Sequence, residues 1–188
     1  MVADLTRERE PVRSGVAIDS NVLTYLAEAM TRDYEPAKDP DALIALERVA
    51  SIRVFLYCGD VSNPPTTDRE IQAIPDDERR VYQEQIRNIL IPELANLDGV
   101  QVAERTKEFL EYHDDQADCS ILAETEVGSV AHLLTVDHQL KNRLGPHSPV
   151  VVQRPTEYWT SLGIPHGATP AQILDRRNPL TRAEWWVW

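Results

Sequence analysis

Short, continuous apolar runs recur along this chain, and most are followed at once by a segment with helical periodicity. VAID (16–19) leads into SNVLTYLAEAM (20–30), whose Val22, Leu23, Leu26 and Ala29 or Met30 form an apolar stripe at helical spacing. DALIALERVAS (41–51) predicts a second helix and RVFLYC (53–58) a strand after it. Beyond the breaker NPPTT (63–67), DREIQAI (68–74) predicts a brief helix. PDDERRVYQEQIRNIL (75–90) predicts a longer one with Pro75 in its first turn. LDGVQVAE (97–104) reads as a short strand, TKEFLEYH (106–113) as a helix, and DDQADCSILAETEVG (114–128) as a helix stopped by Gly128. AHLLTVD (131–137) predicts a strand, HQLKNRLG (138–145) a helix stopped by Gly145, and PVVVQ (149–153) the last strand.

Strands that are apolar throughout, rather than alternating, belong to sheets covered on both faces. Alternation with helices therefore predicts an α/β fold: a three-layer αβα sandwich around a central, mostly parallel sheet. Right-handed crossovers then place the carboxyl ends of the strands along one edge, where α/β folds bind ligands. Asp19 ends the first strand and Asp137 ends LLTV, so both carboxylates are expected at that edge. The helix that opens with Asp114, Asp115 and Asp118 is expected to bring its first turn there too, with Asp118 three and four residues from the other two and on their helical face.

Each acid has an ordinary structural alternative. Asp19 and Asp137 could cap the helices that follow them, and the three aspartates could complement a helix dipole. Glu70, three residues after Thr67, has capping-box spacing. As a set, however, carboxylates gathered at one edge repel one another unless a divalent cation lies among them. Oxygen-only ligands favour Mg²⁺ or Mn²⁺ over Zn²⁺. Metal-assisted phosphodiester hydrolysis is the chemistry such a site fits best.

Composition narrows the alternatives. With 188 residues, 42% hydrophobic and 27% charged, the chain suits one soluble domain with an appended tail. No apolar run approaches a membrane span, and residues 1–15 lack the apolar core of a signal peptide, so a cytoplasmic protein without membrane contact is expected. Cys58 and Cys119 are too isolated to suggest a disulfide framework. A net charge of -12 argues against a surface that grips nucleic acid everywhere. The charge is uneven: eight acids face only Arg105 and Lys107 between residues 104 and 126, whereas six basic residues outnumber three acids between 138 and 188. With seven glycines there is no phosphate-binding loop, and Asn21 stands where a D-x-D phosphatase needs an acid. His113, His132, His138, His147 and His166 are scattered and read as surface or structural groups.

The ordered set VAIDSNVL, TTDREI, DDQADCSILAE and LLTVDHQL resembles the PIN-domain family of VapC-like, metal-dependent ribonucleases. The resemblance covers residues 16–155, the expected nuclease domain. It implies a site of Asp19, Glu70, Asp118 and Asp137, with Asp115 as an additional metal-binding acid; Glu78 or Glu84 could align in place of Glu70. It implies Mg²⁺ or Mn²⁺ as cofactor and hydrolysis of single-stranded RNA. Asn21 and Thr135 lie where an amide and a hydroxyl could steady the metal shell or a water, and Lys141 or Arg143 where a neighbouring phosphate could be held. A homodimer and an antitoxin-like protein partner belong to the same expectation. The rival is a PIN-like module that binds RNA or protein without cutting.

Residues 156–188 read as a helical, tryptophan-rich extension. TEYWTSLG (156–163) and TPAQILDRR (169–177) predict short helices, and TRAEWW (181–186) carries capping-box spacing. The terminal WWVW is expected to dock into a groove of this protein or of a partner.

Overall fold

The computed structural model describes residues 14–31, 34–173 and 178–188. Four parallel strands form one sheet in the order β2-β1-β3-β4, from β1 (Ser14–Ile18), β2 (Val61–Ser62), β3 (Val130–Leu134) and β4 (Val151–Gln153). β1 is central, with Val16 opposite Val61 on one side and His132 on the other. The ladder runs on past the strand ends, because the Asp19 N–H donates to Leu134 and the Thr135 N–H to Gln153.

Helices cover both faces. Val16 and Ile18 point into a core shared with α1 (Ser20–Ala29), α2 (Ala42–Cys58) and α7 (Pro155–Ser161). Ala17 and Leu133 point the other way, against α5 (Gly99–Phe109) and α6 (Gln116–Val127). This splitting of neighbouring strand residues between two cores makes the expected three-layer sandwich. Two further helices, α3 (Pro65–Gln72) and α4 (Asp77–Leu90), complete the order.

Several elements differ from the sequence reading. RVFLYC is the end of α2, a helix with eight buried residues, and an apolar run of that length has the same signature in a buried helix as in a strand. Gly59, at φ 72°, ends it in the left-handed conformation, and the strand is the two residues after Asp60. LDGVQVAE is the start of α5: Asp98 caps it by accepting from the N–H groups of Val100 and Gln101, at 2.9 and 3.3 Å. The NPPTT breaker holds the first turn of α3, with Pro65 at its first helical position. HQLKNRLG shortens to a π-turn, Leu140–Leu144, that passes into a 3-10 turn, Gly145–His147. Of TPAQILDRR, residues 169–173 are not helical and 174–177 lie outside the described residues. TRAEWW does not open a helix; its first two residues end a 3-10 turn, Pro179–Arg182.

The extension packs on the domain. Buried Glu47 of α2 accepts from the N–H and hydroxyl of Thr156, at 3.1 and 2.8 Å, and so caps α7 from outside it. The Arg53 guanidinium donates to the carbonyls of Trp185, Trp186 and Val187 and lies 4.7 Å over the Trp188 ring. The Trp188 indole N–H donates to Ile164 at 2.6 Å, and its ring stacks on His166.

Candidate functional site: a carboxylate edge

The site begins with Asp19, which leaves the central strand and caps α1. It is 2% exposed, and both carboxylate oxygens are held. Oδ1 accepts from the Ser20 N–H, while Oδ2 accepts from the Asn21 amide and the Thr135 hydroxyl, each at 2.7 Å. Burial pushes its pKa from 3.8 up to about 7; the negative fields of Glu70 and Asp118 push the same way, against the hydrogen bond from Thr135.

Thr135 and Asn21 bind the edge together. The Thr135 hydroxyl also accepts from the Asp137 N–H at 2.9 Å, which links the two strand-end aspartates through one oxygen. The Asn21 carbonyl accepts from the Val136 N–H at 3.2 Å, joining the first turn of α1 to the segment after β3. Asp137 itself turns Oδ1 to the N–H groups of Gln139 and Leu140. Asp115 likewise caps α6 with Oδ1. The capping role expected for Asp137 is therefore real and Asp115 shares it; in both, one oxygen caps while the other has no hydrogen-bonding partner among the described residues.

Glu70 sits in the second turn of α3, not in a capping box. Thr67 turns its hydroxyl to the Ile18 carbonyl, and the helix is capped instead by buried Glu124 of α6, which accepts from the Thr66 N–H and hydroxyl at 2.8 and 2.7 Å. Burial raises the pKa of Glu70, with Asp118 and Asp115 adding to the rise, and its Oε2 is buried without a hydrogen bond. Asp118, in the first turn of α6, is raised by burial and by the charges of Asp115 and Asp137, and held back by His113. Glu70, and neither Glu78 nor Glu84 of α4, is the glutamate whose field reaches Asp19.

A cavity of about 450 Å³ opens beside these groups, lined by His113, Asp114, Asp115, Asp118, Asp137, Gln139 and Arg143. Arg143 reaches Asp114 at 3.4 Å. Lys141 turns away to pair with Glu157 at 2.5 and 2.6 Å, so of the two basic candidates only Arg143 faces the cavity. A larger cleft of about 820 Å³ lies at Thr31 and the first turns of α4, away from the carboxylates.

Two residues of the edge have no legible sign in the sequence. Glu124 looks like any acid in α6, and its role as a cap for α3 depends on a contact spanning 58 residues. His113 donates from Nε2 to Asp118 Oδ2 at 2.8 Å and is buried, the structural of the two roles open to the histidines, with a partner that its sequence context does not show.

As the side chains stand, no group of three or more His, Cys, Asp or Glu among the described residues closes around one point. The donor chemistry nevertheless suits a hard cation: the oxygens are carboxylate only, Glu70 Oε2 is an orphan, and among the described residues no Lys or Arg pairs with Asp19, Glu70, Asp118 or Asp137. No helix among the described residues is long and apolar enough to cross a membrane. No protein-family model and no curated protein matches the sequence.

Proposed function

We propose that this chain is a PIN-like, Mg²⁺- or Mn²⁺-dependent endoribonuclease that hydrolyses phosphodiester bonds of single-stranded RNA. The observation that carries the reading is that Asp19, Glu70 and Asp118, from a strand end and two separate helices, each have a pKa raised first by burial and then by neighbouring carboxylates: Glu70 and Asp118 act on Asp19, and Asp118 on Glu70. Carboxylates buried within such fields attract a cation.

A divalent cation held by Asp19, Asp118 and Asp137, with Glu70 or Asp115, would polarise an attacking water and offset charge growing on the phosphorus. The protein's own groups do the rest. Thr135 and Asn21 hold Asp19 in one orientation. Glu70, with an unpartnered oxygen and a raised pKa, is suited to accept a proton from the attacking water. Arg143, at the cavity wall beside an exposed acid, is placed to hold a neighbouring phosphate. A second copy of the chain, or an antitoxin-like segment whose arginine pairs with the acidic edge, fits the same reading as a regulatory partner.

The rival reading is a module that binds RNA or protein without cutting it. One assay separates the two. End-labelled single-stranded RNA is incubated with wild type and Asp19→Asn, in Mg²⁺ or Mn²⁺ and in EDTA. Metal-dependent cutting lost in Asp19→Asn supports the nuclease; no cutting together with no Mn²⁺ binding by calorimetry removes it and leaves the binding module.

A further inference from the structure

His113 occupies the turn between α5 and α6, fixed by both helices. Its N–H donates to the Phe109 carbonyl at 3.1 Å, and its own carbonyl accepts from the Cys119 thiol at 3.4 Å. The ring is thus placed by the backbone on either side of it, with 6% of the residue exposed. Nε2 lies 2.8 Å from Asp118 Oδ2, while Nδ1 is buried with no hydrogen-bonding partner.

That asymmetry assigns the donor: a carboxylate oxygen only accepts, so the hydrogen of the pair sits on Nε2, and Nδ1 takes no part in holding the ring. Packing alone does not account for such a residue, because an apolar side chain of similar volume would fill the space without stranding Nδ1. What the ring supplies is one fixed donor, and its effect is directional. With Oδ2 engaged, Asp118 presents Oδ1, which has no hydrogen-bonding partner among the described residues, from the wall of the cavity that it shares with Asp115 and Asp137.

We propose that His113 is a positioning residue: its Nε2–H holds Asp118 in the orientation in which Oδ1 can join a divalent cation at the carboxylate edge. This rests on the metal-dependent reading given above. It adds one nitrogen donor to a site otherwise made of acids, the kind of group that orients a metal ligand without touching the metal. The spacing is set by the cap: Asp115 starts α6, which brings residue 118 back over the turn that holds residue 113.

The test uses the full chain and Mn²⁺ as the probe. Calorimetric titrations compare wild type with His113→Gln, whose amide can still donate, and with His113→Leu, which fills the space without a donor. Thermal melts of the metal-free proteins report packing separately. The expected result is Mn²⁺ affinity weakened about tenfold or more in His113→Leu and largely restored in His113→Gln, whatever their melting temperatures. Should His113→Leu not fold, His113→Asn, an amide too short to reach Asp118, takes its place. Equal affinity in all three proteins overturns the proposal, as does equal weakening in both variants, which would make shape rather than donation the cause. If wild type itself binds no Mn²⁺, the metal-dependent reading fails and the role of His113 falls with it.

Discussion

Asp19→Asn should turn a pH-sensitive fold into a less sensitive one. Folding raises the pKa of this carboxyl from 3.8 to about 7, so the folded protein holds the proton more tightly than the unfolded chain does. Its contribution to stability is then fullest below 3.8 and falls as pH climbs to about 7. At about 1.4 kcal/mol per tenfold in proton affinity, the whole fall is about 4 kcal/mol, and roughly 3 kcal/mol of it lies between pH 5 and pH 8. Asparagine keeps the shape and cannot ionise. Its mixed donor and acceptor pair resembles the protonated acid, so the two proteins should be closest in stability at pH 5. The assay is urea unfolding at pH 5 and pH 8 in EDTA, followed by tryptophan fluorescence. The stability of Asp19→Asn relative to wild type should rise by about 3 kcal/mol between the two pH values. Glu70 and Asp118, whose pKa values are also raised, push both proteins in the same direction. Parallel pH profiles for the two proteins would refute the reasoning, because they would mean that Asp19 is not strained by burial.

Other substitutions test the supports of this edge. Thr135→Val keeps the buried shape but removes the donor to Asp19 and the acceptor for the Asp137 N–H; it should cost about 1–3 kcal/mol and push the fall in stability to higher pH, in the same unfolding assay. Glu124→Leu strands the Thr66 N–H and hydroxyl at the start of α3, costing about 1–3 kcal/mol, and should weaken Mn²⁺ binding in calorimetry because α3 carries Glu70. Arg53→Ala removes the donor that gathers the carbonyls of residues 185–187 and the cation over Trp188. It should expose the tail to protease and shift tryptophan emission to the red, while leaving the site's Mn²⁺ affinity unchanged.

The sequence was legible wherever the signal was local. The apolar run before Asp19, the stop of α6 at Gly128, and the strand before Thr135 are each signalled by residues close to one another in the chain. It misled where one pattern serves two structures. The run RVFLYC is apolar because α2 is enclosed between α1 and α7, a circumstance that its own six letters do not carry. LDGVQVAE, expected as a strand, starts a helix because Asp98 accepts from the N–H groups of Val100 and Gln101, and those eight letters do not by themselves say that the Asp caps.

For the site, the division is sharper. Order along the chain, together with the rule that parallel strands share a carboxyl edge, was enough to bring Asp19, Asp118 and Asp137 to one place, since crossover handedness leaves little choice. Sequence alone also determined the chemistry of the donors, because carboxylates have no alternative but to attract protons or cations. Only the tertiary structure decided which glutamate joins them, which of Lys141 and Arg143 faces the cavity, and that His113 holds Asp118. Those outcomes depend on side-chain reach across elements far apart in the chain, where a rotation of one helix by a single residue's angle exchanges a partner for solvent.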